Sequence, residues 1–245
     1  MKTIMECEFG SRAYGLANSG SDSDLMAVAI EPPEYVTGLL EAKSKQANTA
    51  EEGEKSGADD TDKIIHPLRK FAGLAAKGNP TVLTAFFVPH YTVMTDHFAN
   101  LILHREAFVS KRAGSAHVGY MESQLRALKG LRHKKVKRPE LEEEFGYDTK
   151  FAYHAVRLGL QGIELMKHGK YTLPFEGEER EMLLSIRNGE KDKGEAIELI
   201  EKYSRVLKDT MSETDQPKDP DLQRINGLLH KAYTTEWTRV EYASQ

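Results

Sequence analysis

Apolar and polar positions along this chain change rhythm about a third of the way in. Residues 3–9 (Thr-Ile-Met-Glu-Cys-Glu-Phe) read as a short strand running into a Gly-Ser turn. Residues 25–30 (Leu-Met-Ala-Val-Ala-Ile) form a continuous apolar run of strand length, stopped by Pro32 and Pro33. Between the two lies a turn-rich stretch of Gly, Ser, Asn and Asp. Residues 41–61 are polar with no apolar face, which predicts a surface excursion. One more short strand is expected over 63–66. Leu68, Phe71, Leu74 and Ala75 then recur at helical spacing, and Lys77-Gly78-Asn79-Pro80 closes that helix. Residues 82–88 are apolar enough for a strand or a short buried helix.

From about residue 95 the spacing is helical. Segments 98–109, 118–131, 147–166, 178–186 and 195–207 each carry it, and Lys167-His168-Gly169 ends the third of these. A loop rich in Asp and Pro precedes a last helix around 221–234. No internal repeat is visible. Strands early and helices afterwards predict an α+β protein: a small α+β module over residues 1–95, followed by a helical domain over 96–245.

Composition narrows the class. A chain of 245 residues can bury a core without covalent staples. With 39% hydrophobic and 29% charged residues, collagen, coiled-coil arrays and wholesale disorder do not fit. A single cysteine, Cys7, rules out an intrachain disulfide framework and a cysteine-based zinc site. No apolar run reaches bilayer length and the start does not read as a secretory signal, so a cytoplasmic location without a membrane partner is expected. A net charge of −4 excludes a globally basic nucleic-acid coat. It hides a local feature, however. Residues 126–138 hold seven Lys or Arg and no acid, a strip able to collect phosphate-backbone contacts. Lys134, Lys135, Lys137 and Arg138 are the expected contacts to an RNA or other nucleic-acid end. The strip lacks interleaved aromatics, so it offers no stacking platform for single strands, and a solvated charged surface is the plain alternative.

The chemistry-bearing pattern lies near the start. Gly10-Ser11 is followed, eleven residues after the serine, by Asp22 of the run Ser21-Asp22-Ser23-Asp24. In an extended segment residues two apart point the same way, which places the Asp22 and Asp24 carboxylates on one side. Paired carboxylates repel when ionised and call for a cation. Hard oxygen ligands of this kind suit Mg²⁺ or Mn²⁺, the usual companions of nucleoside triphosphates. Glycine and serine just upstream can turn backbone N–H groups and a hydroxyl toward a phosphate. An Asp-x-Asp pair in a loop is by itself most often a hydrophilic turn; here an apolar strand follows at once.

Gly10-Ser11 with Ser21-Asp22-Ser23-Asp24 resembles the signature of the DNA polymerase beta-like nucleotidyltransferase superfamily. The fuller string GSRAYGLANSGSDSDL is similar to one branch, the predicted nucleotidyltransferases associated with RNA repair. The resemblance continues in Leu68-Arg69-Lys70-Phe71, in residues 77–82, in residues 146–154 with Arg157-Leu158, and in residues 186–190. It implies a polymerase-beta-like core, a short mixed sheet with helices, followed by an all-helical domain. It implies that Gly10 and Ser11, with Arg12 and Ser21 beside them, hold the phosphates of a nucleoside triphosphate, ATP being the expected one. It implies that Asp22 and Asp24 bind Mg²⁺ or Mn²⁺ with a third acid on a neighbouring strand. Asp62 is the best positional match for that acid; Asp59 and Asp60 lie close by. The implied reaction moves a nucleoside monophosphate onto an acceptor hydroxyl with release of pyrophosphate. Sequence spacing alone does not choose between this and γ-phosphate transfer.

In the helical part Lys150, His154 and Arg157 share one helix face, with Asp148 placed to cap the start. The resemblance points this face at phosphate. An internal network, with Arg157 paired to Glu164 or Asp148, is the structural alternative. Arg187-Asn188-Gly189 reads as a helix end. The acceptor stays open: an RNA end, favoured by the basic strip, or a protein or small-molecule hydroxyl. A non-catalytic nucleotide-binding module is the third possibility.

Overall fold

The computed structural model describes residues 1–18, 20–49, 60–131 and 138–243. Lys134, Lys135 and Lys137 of the basic strip, and Asp59, lie outside the described residues. By packing, the chain groups into two compact units. One comprises residues 1–77, 81–108 and 220–245, the other residues 78–80 and 109–219. Among the described residues no helix is long and apolar enough to cross a membrane.

The first unit is built on a five-stranded mixed sheet of order β3-β4-β2-β1-β5. Its strands are β1 (Lys2–Phe9), β2 (Ser23–Ile30), β3 (Lys45–Asn48), β4 (Thr61–Pro67) and β5 (Val93–Met94). Among the described residues β2 and β4 pair in parallel, and β1 with β2, β1 with β5 and β3 with β4 pair antiparallel. From Met26 to Ile30, β2 is buried on both faces, as its unbroken apolar run requires of a central strand. Edge strand β3 is exposed at all four positions, so it carries no alternation to announce it. Two strands are longer than their apolar runs suggest, because ladder pairing carries β2 and β4 outward to Ser23 and Thr61.

Among the described residues this unit is completed by α1 (Gly10–Ala13), α2 (Leu68–Ala76), α3 (Pro80–Thr84), α4 (Asp96–Leu103) and the C-terminal α10 (Leu222–Ala243), whose last residues carry no described side chains. Pro80 of α3 groups with the second unit. The apolar stretch after Pro80 thus folds as a short helix rather than a strand. Phe71, Phe86, Phe98 and Phe108 form one aromatic cluster, with centroids 4.9–5.9 Å apart. Glu31, at the end of β2, accepts from the N–H groups of Leu68 (3.0 Å) and Arg69 (3.3 Å), so a distant carboxylate caps α2 where its dipole favours negative charge. The same residue receives the Tyr233 hydroxyl (2.7 Å) and, at its carbonyl, the Trp237 indole N–H (2.9 Å), which fixes α10 to this unit.

The second unit is helical: α5 (Lys111–Leu128), α6 (Pro139–Phe145), α7 (Thr149–His168), α8 (Gly177–Arg187) and α9 (Lys193–Glu213). Buried α7 is central, in contact with α5, α8 and α9. Its sequence signals hold at both ends: Asp148 accepts from the N–H groups of Lys150 and Phe151, and Gly169 at φ 68° closes the last turn. Small residues permit the close approach of these helices. A Cβ on Gly159 would stand 2.8 Å from both Met121 and Tyr203, and one on Gly162 2.7 Å from Leu207.

Candidate metal centre

β1 ends at Phe9, opposite Asp24 of β2. The next residue, Gly10, turns at φ 69° into the single helical turn α1. Only glycine fits this corner on two counts. The φ value is left-handed, and a Cβ here would lie 2.0 Å from the Oδ2 of Asp24. The Gly10 backbone and the Asp24 carboxylate are therefore packed directly together. That contact gives the Gly-Ser and Asp-x-Asp motifs a common place.

Asp22 lies one residue before β2 and Asp24 one residue into it, so the pair shares a side. The third acid comes from the parallel neighbour. Asp24 faces Asp62 in the β2–β4 register. Asp22, Asp24 and Asp62 each offer a carboxylate oxygen, and these atoms all lie within 4.8 Å of one another; all three residues are half-buried. Asp60 is engaged otherwise: its carboxylate accepts from the Thr49 hydroxyl (3.1 Å) and its carbonyl from the Ser23 N–H (2.9 Å). Three carboxylates so close favour a bound cation, and an all-oxygen donor set matches Mg²⁺ or Mn²⁺ rather than a soft metal.

The loop carrying Asp22 is braced from both sides. The Arg12 guanidinium donates to the carbonyls of Ser21 and Asp22, each at 3.2 Å, and lies 3.9 Å from Glu8. The Ser21 hydroxyl donates to the Asn18 side chain (2.9 Å) and accepts from the Asn18 N–H (3.0 Å). Arg12 and Ser21, both expected at phosphate, hold the Asp22 loop in shape in this structure. Ser11 is half-buried at the start of α1. Tyr14 is buried, its hydroxyl 3.4 Å from that of Thr84, and so serves the core. The Lys63 ammonium pairs with Glu6. Arg69 and Lys70 are exposed.

Lys150, His154 and Arg157 lie on α7 of the second unit. Arg157 is buried and donates to Gln161 Oε1 (2.5 Å). Glu164 accepts from the Thr172 N–H, and Asp148 pairs with Arg138 at 3.0 Å. The His154 ring stacks on Tyr153, centroids 4.2 Å apart. Burial holds its pKa well below the ordinary histidine value, and the charges of Arg157, Arg138, Lys150 and Arg187 reinforce this. Arg187 was legible only as a helix end; its approach to His154 depends on how α8 packs on α7, which spacing does not encode. His117 on α5 is fully buried. Its Nδ1–H donates to the Ala113 carbonyl (2.8 Å), and its Nε2 accepts from the Tyr171 hydroxyl (2.9 Å). Burial pushes its pKa down to about 4, against the carbonyl contact and with the help of Arg157.

The profile of the RNA repair pathway DNA polymerase beta family matches residues 1–231. An uncharacterized 38.9 kDa protein from the nrdC-mobD intergenic region of Enterobacteria phage T4 is 31% identical over 91 residues, which is 36% of this chain. That match covers 26% of the phage protein.

Proposed function

The chain belongs to the RNA repair pathway DNA polymerase beta family, and from that premise we propose that it is a metal-dependent nucleotidyltransferase that transfers a nucleoside monophosphate, from ATP in the first instance, to the hydroxyl of an RNA end. One observation carries the reading: the three carboxylates of Asp22, Asp24 and Asp62 converge within 4.8 Å, directly against the Gly10–Ser11 turn.

In this reading Asp22, Asp24 and Asp62 hold Mg²⁺ or Mn²⁺. A divalent cation bound there supplies neutralising charge for a triphosphate and favours ionisation of an acceptor hydroxyl. Gly10, with no side chain, lets the backbone approach the phosphates closely, and the Ser11 N–H and hydroxyl donate to their oxygens. Arg12 and Ser21 keep the Asp22 loop in register, a positioning task. The Asp62 carboxylate accepts the proton of the acceptor hydroxyl. The acceptor oxygen bonds to the α-phosphorus, the bond from that phosphorus to the bridging oxygen breaks, and pyrophosphate leaves with its electron pair. On the helical unit, Lys150, His154 and Arg157 donate to phosphate oxygens. The family's tie to RNA repair and the basic strip support an RNA acceptor.

The test incubates the chain with each α-labelled triphosphate, Mg²⁺ or Mn²⁺, and RNA, protein and small-molecule acceptors. Label should enter RNA from ATP. Asp22→Asn, Asp24→Asn and Asp62→Asn should each cut incorporation by at least about a hundredfold, whereas Asp60→Asn should keep it. Unchanged incorporation in the first three variants refutes the site. Label entering protein or a small molecule keeps the site and replaces the acceptor.

A further inference from the structure

The helical unit gathers cations around one histidine. Lys150, His154 and Arg157 follow at helical spacing along α7. Two more guanidiniums reach the same region from other segments. Arg138, at the start of α6, lies over the Phe151 ring at 5.5 Å, and Arg187, at the end of α8, lies over the Tyr153 ring at 5.6 Å. Tyr153 in turn stacks on His154. The aromatic faces set the guanidinium planes. Arg157 is held from below by Gln161, whose buried Nε2 makes no hydrogen bond among the described residues. Asp148, the acid at this end of α7, is buried and committed to Arg138 and the cap. On the α5 side His117 packs opposite Gly162, further along α7, and is tied to Ala113 and Tyr171. The charges acting on His154 are thus Arg157, Arg138, Lys150 and Arg187, all positive. Part of the His154 surface remains open to solvent, and Lys150 is exposed.

We infer that this face of α7, completed by Arg138 and Arg187, is a phosphate-binding site in which His154 is neutral when the site is empty and takes up a proton when a phosphate group binds. A multivalent anion cancels the field that keeps the imidazole neutral, and the imidazolium then adds a charge-assisted donor to the anion. Binding is therefore coupled to proton uptake, and affinity rises as pH falls. The inference rests on the reading above for the phosphate role of Lys150, His154 and Arg157 and for where the phosphate comes from, the triphosphate tail of the nucleotide or the terminal phosphate of an RNA end; the two added arginines and the proton uptake are its own.

Calorimetric titration of the full chain tests it, in chelator so that metal plays no part, and in two buffers of different ionisation enthalpy. The probes are inorganic pyrophosphate, ATP, and one oligoribonucleotide with a 5′-phosphate or a 5′-hydroxyl. Pyrophosphate should bind with net proton uptake near pH 7. Lys150→Gln and Arg187→Gln should each weaken binding roughly tenfold. His154→Gln should keep weakened binding and lose the proton uptake. Preference for ATP over both oligonucleotides assigns the site to the triphosphate, and preference for the 5′-phosphate over the 5′-hydroxyl assigns it to the RNA end. The Asp22→Asn/Asp24→Asn chain should bind pyrophosphate as the wild type does, so loss of transfer activity and loss of this site are separate results. Binding without proton uptake, or affinity unmoved by Lys150→Gln and Arg187→Gln, overturns the inference.

Discussion

Replacing Gly10 by alanine isolates the close approach on which the carboxylate cluster is built. Two costs add. The backbone sits at φ 69°, where an L-residue pays about 1–2 kcal/mol. The new Cβ would then stand 2.0 Å from Asp24 Oδ2 and 2.8 Å from its Cγ. Non-bonded heavy atoms favour about 3.5 Å, so the carboxylate has to retreat by about 1.5 Å. A shift of that size takes Asp24 out of the cluster it makes with Asp22 and Asp62. Gly130 supplies the control, because its φ is 72° and a Cβ there meets nothing within 4 Å among the described residues. Gly130→Ala should cost the backbone strain alone, about 1 kcal/mol in urea unfolding. Gly10→Ala should cost more than this and also weaken Mn²⁺ binding by at least about tenfold. The decisive comparison repeats Gly10→Ala in an Asp24→Ala background, where the clash is gone. The stability loss there should shrink to the Gly130→Ala value, with a coupling of about 1–2 kcal/mol. An additive cycle with unchanged Mn²⁺ affinity refutes the reasoning.

Three further outcomes follow from the same geometry. His117 titrates near 4 in the fold against about 6.5 unfolded, so the unfolded state binds more protons in between; stability is full above about pH 6.5 and falls by about 3 kcal/mol on the way to pH 4. Burial and nearby cations push His154 the same way, and urea midpoints that stay flat from pH 7 to 5 count against both. Tyr233→Phe removes the hydroxyl that donates to buried Glu31 and should destabilise the chain by about 2 kcal/mol in urea; a loss under about 0.5 kcal/mol means α10 is anchored elsewhere. Neutralising Lys134, Lys135, Lys137 and Arg138 should weaken RNA binding and flatten its log–log salt dependence by roughly 0.7 for each phosphate no longer neutralised, and an unchanged slope places the RNA on another surface.

What the chain could announce by itself is local. The two-residue spacing of Asp22 and Asp24, the apolar run of β2, the Asp148 cap and the Gly169 terminus of α7 depend on neighbours a few residues away, and each stands where its pattern put it. Gly10 was legible as a turn glycine, but not the carboxylate that excludes a Cβ there. The third acid shows where local information ends. Asp60 and Asp62 are two residues apart and equally acidic. The parallel register of β2 with β4 puts Asp62 opposite Asp24, while Asp60 turns its carboxylate to Thr49. Strand pairing across a long excursion sets that register, and no pattern within either strand records it. The fully exposed β3 lacked any hydrophobic signal and β5, Val93–Met94, is too short to show a pattern, since edge pairing rather than burial makes them strands. The return of α10 to Glu31 and the meeting of Arg138 and Arg187 at His154 are likewise decided by packing between segments far apart in the chain. Residue identity therefore set which chemical groups were present, and tertiary pairing set which of them share a site.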